Sequence, residues 1–115
     1  MNKPTFMEGN KVFQLKFMFD WGSGVCLWSS NTTSQEKFGD YPIDTDDLPV
    51  SQELKEKIEY LINKHDEALN WNDPGGDLLW NDTQIQEFMN EAKKVYLALC
   101  DELGAEYEIE FYEDL

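Results

Sequence analysis

Arginine is missing from this chain, and nine lysines face 24 acidic residues, which sets the formal net charge at -15 at pH 7. The shortage of cations disfavours direct nucleic-acid binding, because phosphates need cationic partners and no basic stripe exists. Contact with an anionic membrane surface is disfavoured for the same reason. No run approaches 18 consecutive apolar residues, so no transmembrane helix is expected. Met1-Asn2-Lys3-Pro4-Thr5 is followed by no apolar signal core, and a cytoplasmic protein is the expectation. Cysteine is scarce: Cys26 and Cys100 suit two thiols of a reducing compartment better than a disulfide framework. Seven glycines and four prolines exclude collagen-like and Pro-rich classes. Histidine occurs once, at His65. With no HExxH and no CxxC, neither a metal nor another cofactor is expected.

What the chain does have is apolar surface. Of its 115 residues 41% are hydrophobic, with seven Phe, five Tyr and four Trp, which is not the composition of a disordered acidic chain. Residues 1–115 are expected to form a single acidic domain. Phe13, Leu15, Phe17 and Phe19 alternate with Val12, Gln14, Lys16 and Met18, the period of a strand. A turn at Asp20-Trp21-Gly22-Ser23-Gly24 leads to a second strand, Val25 to Ser29. Residues 30–38 read as polar, with one helical turn stopped by Gly39. Asp40 to Pro49 reads as an acidic loop. Ser51 caps a helix whose apolar face is Leu54, Ile58, Leu61, Ile62, His65 and Leu69. Asn81 and Gln84 make a capping-box variant for a second helix, which runs to Gly104. Tyr107, Ile109 and Phe111 then alternate with Glu106, Glu108, Glu110 and Tyr112. The expected fold class is α+β, in the order ββααβ: a three-stranded sheet with two helices packed on one face. The first strand is expected at the centre, with the last beside it.

Acid clustering is the strongest functional signal. Glu106, Glu108 and Glu110 stand at i, i+2 and i+4 and so line one strand face, where like charges repel. Such a face attracts a cationic partner and speeds encounter by steering. Asp44, Asp46 and Asp47 supply a second patch, and Trp71 and Trp80, which bracket Asp73-Pro74-Gly75-Gly76, are candidate aromatic anchors. The same residues have plainer readings: a solvated strand face, and loop tryptophans folded back on the core. Asp44 to Asp47 lacks the spacing and mid-loop glycine of a calcium loop. No nucleophile elbow or phosphate-binding glycine loop exists. The first function to weigh is therefore non-enzymatic: an acidic domain that blocks a basic partner. A nuclease fits that description, since a cleft that holds phosphate is positive. The alternative is a small enzyme or ligand-binding protein with a carboxylate-containing site near Asp20 or His65.

Size, acidity and element order resemble the immunity proteins of bacterial contact-dependent and polymorphic toxin systems. The stretches Leu15-Lys16-Phe17-Met18-Phe19-Asp20-Trp21-Gly22-Ser23-Gly24-Val25-Cys26-Leu27-Trp28 and Leu69-Asn70-Trp71-Asn72-Asp73-Pro74 look like small bacterial proteins found in such settings. The resemblance implies a cytoplasmic, non-enzymatic protein specific for one cognate toxin domain.

Overall fold

A computed structural model describes residues 12–39 and 41–113. Strand β1 (Phe13–Phe17) alternates as its sequence demands: Leu15 and Phe17 are buried, while Gln14 is exposed and Lys16 half-buried. It pairs antiparallel with β2 (Leu27–Ser29), with Phe17 opposite Leu27 and Lys16 opposite Trp28. The connection turns at Gly22 and Gly24, whose φ of 82° and 76° lie in the left-handed region that glycine enters without strain. Helix α1 (Thr32–Phe38) follows; Asn31 caps it by accepting from the Ser34 amide, and Gly39 ends it at φ 88°. Strand β3 (Pro42–Ile43) pairs antiparallel with β2, and a 3-10 turn (Thr45–Asp47) leads to α2 (Gln52–Asp66). Helix α3 (Asp82–Leu103) begins at a reciprocal capping box between Asn81 and Gln84. Strand β4 (Tyr107–Phe111) closes the order and lies parallel to β1.

The expected three-stranded sheet with two helices is thus corrected: the described residues form a four-stranded mixed sheet, ordered β3-β2-β1-β4, with three α-helices. The fourth strand is only two residues long and sits between prolines and aspartates, so it carries no alternation to read. It exists because Leu27 and Trp28 offer it an unpaired edge. The third helix grew from the expected single turn because Asn31 and Gly39 satisfy both its ends.

Leu15, Phe17, Phe19, Leu27 and Ile43 form the sheet's inner face, and Leu54, Ile58, Leu61, Phe88, Ala92, Val95 and Leu99 meet them from α2 and α3. Phe17 is fully buried and edge-on to Phe19, Tyr96 and Phe111, at centroid distances of 5.3, 6.3 and 5.6 Å. The Tyr96 hydroxyl donates to the Ile109 carbonyl at 3.0 Å and so ties α3 to the edge strand. Cys26 is buried and Cys100 half-buried, both as free thiols, and burial pushes the Cys26 thiol far above its ordinary range.

Candidate interaction surface

The sheet's outer face is set by register. Pro42, Trp28, Lys16 and Glu110 stand side by side across its four strands, and Gln14 stands opposite Glu108 one step along. On the β4 side this face is acidic. Glu106, Glu108 and Glu110 are all exposed. Glu108 accepts a hydrogen bond from Gln14 Nε2 at 3.2 Å, and Glu110 lies 3.5 Å from the Tyr112 hydroxyl. A shallow groove runs between Gln14, Ser30, Glu108 and Glu110. On the β3 side the same face is aromatic. Trp28 lies flat enough to be buried, its Nε1 donating to the Met18 carbonyl at 2.9 Å. Tyr41 leans on it at 5.1 Å with 40% of its own surface exposed. Tyr41 thus offers a half-exposed aromatic on the same face as the exposed glutamates, across the sheet from them, and aromatic anchors are what protein interfaces favour.

The other acidic patch is elsewhere. Asp44 caps the 3-10 turn by accepting from the Asp46 amide at 3.0 Å, and Lys55 Nζ reaches the Asp46 carbonyl at 3.0 Å. Buried Thr45 and Leu48 pin this segment beside the start of α2. Its strand, β3, is the sheet edge opposite β4, and β2 and β1 lie between. At about 4.8 Å per strand those edges are about 14 Å apart. Asp44, Asp46 and Asp47 therefore do not merge with Glu106, Glu108 and Glu110 into one patch.

The tryptophans divide as well. Trp71 is 56% exposed, yet its Nε1 donates to the Asp66 carbonyl at 2.9 Å, and its ring lies against Gly22, where a Cβ would sit 3.5 Å from it. Trp80 is half-buried and packs on Phe88 at 5.3 Å, at one end of the cleft between α2 and α3. Neither tryptophan shares the acidic face of β4. Trp21, by contrast, is a structural pin: it stacks on His65 at 4.5 Å and donates from Nε1 to the His65 carbonyl at 2.8 Å.

His65 and Asp20, each a candidate centre for the alternative reading, are poorly placed for chemistry. His65 is 1% exposed, between the rings of Trp21 and Phe19, and its Nε2 has no hydrogen-bond partner among the described residues. Burial lowers its pKa to about 4, with Asp66 and Asp20 pulling it weakly the other way. Asp20 is an exposed turn residue whose carbonyl accepts from the Ser23 amide and hydroxyl. Among the described residues no cluster of three or more His, Cys, Asp or Glu side chains could hold a metal ion, and no helix is long and apolar enough to cross a membrane.

The sequence pointed to the glutamates of this surface and to Tyr41 as an aromatic in an acidic loop, but not to the contact between Tyr41 and Trp28. Trp28 and Tyr41 are 13 residues apart and meet only because β3 pairs with β2. The period-two position of Trp28, opposite to buried Leu27, was the one available signal.

Residues 13–114 match the protein family described as Serratia CdiI immunity protein-like. No curated protein matches the chain.

Proposed function

Since the chain belongs to the Serratia CdiI immunity protein-like family, we propose that it holds its cognate toxin domain against the outer face of the sheet, with Glu108 and Glu110 as the steering charges and Tyr41 as the anchor. Family membership makes the protein an immunity protein, a non-catalytic neutraliser of a toxin. One observation favours the sheet face over the helical layer. The ion pairs among the described residues are Lys57–Glu53, Lys64–Glu67 and Lys94–Glu91, all in the helical layer. None of these pairs uses Glu106, Glu108 or Glu110, which stand exposed toward a partner. A basic toxin surface would be drawn to them, and a nuclease fits best, because the cleft that must hold phosphate is the cleft that carboxylates can occupy. The cytoplasm is the compartment this reading needs, since the toxin must be met where it acts.

The test is association kinetics with the toxin domain recovered by affinity capture. Charge reversal in Glu108→Lys/Glu110→Lys should slow association about ten- to hundredfold at low salt and flatten its salt dependence. The matched pair Asp46→Lys/Asp47→Lys should slow it less than about threefold, because that segment is pinned beside the start of α2 and not on the sheet's outer face. Unchanged kinetics in the first pair would remove the sheet face from the interface. Equal slowing in both would mean that the overall field, not this face, guides the toxin.

A further inference from the structure

On the other side of the molecule, α2 and α3 leave a cleft between them. Tyr60 rises from its middle, 61% exposed, with a hollow on either side. One hollow, of about 160 Å³, is floored by Leu54, Val95 and Ala98. The other, of about 310 Å³, is floored by Phe88 and Trp80. Lysines and glutamates alternate on the walls: Lys57 and Lys94 stand over the first hollow, Lys64 and Glu87 over the second, and Glu91 over both.

We propose that this cleft is the contact surface of a symmetric homodimer, in which Tyr60 of each copy enters a hollow of the other. Shape comes first. A two-fold interface must be complementary to itself, and a knob set beside a hollow on one surface meets that condition. Charge comes second. The segments Gln52–Asp66 and Asp82–Leu103 hold five of the nine lysines against nine acids, whereas the remainder of the chain holds four lysines against 15. Two copies that each carry -15 repel one another through almost any other face. Here each Lys–Glu pair on one wall can exchange partners with its symmetry mate. The floor is apolar where the walls are charged, which is the layout of an interface core and rim.

A dimer built this way has an unusual salt signature. Its net repulsion is long-ranged and is screened by added ions, while its contact is short-ranged and largely apolar. Association should therefore tighten about tenfold as salt rises from roughly 0.05 M to roughly 0.5 M. The toxin complex, joined by opposite charges, should weaken over the same range.

Sedimentation equilibrium of the full chain at both salt levels tests this. The expected result is a species of twice the 13.5 kDa chain mass that gains population with salt. Tyr60→Glu should return it to monomer with an unchanged melting temperature, and Tyr60→Phe, which keeps the knob, should remain dimeric. Toxin capture by Tyr60→Glu should equal that of the parent protein. A monomer at every concentration up to about 0.5 mM, where even a Kd of that order would show, overturns the proposal. So does a dimer that survives Tyr60→Glu, which would place the contact elsewhere. A monomeric parent whose toxin capture is lost in Tyr60→Glu would assign the cleft to the toxin and overturn it equally.

Discussion

The two broad faces of this molecule draw on the same acid-rich composition and distribute its charge differently. On the α2–α3 face, lysines fall three or four positions from glutamates, as in Lys57–Glu53 and Lys94–Glu91 at 3.6 and 2.9 Å, and the charges are partly offset within each helix. On the sheet's outer face, the period of two repeats glutamate at 106, 108 and 110 along one strand, and nothing on that strand offsets it. The cross-strand neighbours of Glu108 and Glu110 are Gln14 and Lys16, so a single lysine faces the strip. Secondary structure thus decides whether neighbouring charges neutralise or accumulate. A helix pairs them internally, and a strand leaves them for a partner.

The comparison can be broken most forcefully where the two layers meet. Phe17→Ala should destabilise the protein by about 3–5 kcal/mol, because a buried ring that touches β4 through Phe111 and α3 through Tyr96 leaves a cavity between the faces. Urea unfolding would measure it, and a loss below about 1 kcal/mol would show that the layers are held together elsewhere.

Acid should test the helical side next. His65 holds the end of α2 against the β1–β2 turn as a neutral imidazole, with its pKa lowered from the ordinary 6.5 to about 4. The unfolded chain binds the proton more readily than the folded one. The stabilisation is therefore complete above pH 6.5, declines as pH falls below it, and is lost by about pH 4. A shift of that size corresponds to about 3 kcal/mol. In His65→Leu the difference in stability between variant and parent should change by about that amount between pH 7.5 and pH 4. Titration of the carboxylates is common to both proteins and drops out of the difference. A difference independent of pH would show that the imidazole is not held neutral.

The smallest effect sharpens the comparison instead. Lys57→Gln or Lys94→Gln should change stability by less than about 0.5 kcal/mol in thermal or urea unfolding, since both pairs are exposed. A cost above about 1 kcal/mol would mean that these pairs hold the helices together, beyond cancelling charge on their face.

Much of this molecule was legible along the chain. The apolar faces of α2 and α3, the caps at Asn81 and Ser51, and the alternation of β1 and β4 all appear in the structure. What was not legible had no periodic signal. Pro42 and Ile43 become a strand only because β2 presents an edge to them. The candidate site was half legible for the same reason. Glu106, Glu108 and Glu110 share a face by spacing alone, but the distance from them to Asp44, Asp46 and Asp47 depends on strand order. Trp71 and Trp80 lie in one loop, yet one is tied to the end of α2 at the Asp66 carbonyl and the other packs on α3 at Phe88.

By itself the sequence determined β1, β2, β4, α2 and α3, the caps at Ser51 and Asn81 and the sign of the charge, because helix and strand periods and capping bonds are settled within about four residues of backbone. It also determined that the glutamates of β4 would accumulate on one face. The tertiary structure alone decided that β4 would lie parallel to β1, about 90 residues away in the chain, that β3 would join the sheet and keep the acidic patches apart, and that α2 and α3 would enclose a cleft with Tyr60 at its centre. These outcomes follow from which apolar faces bury one another once the chain closes on itself, and local sequence does not encode that choice.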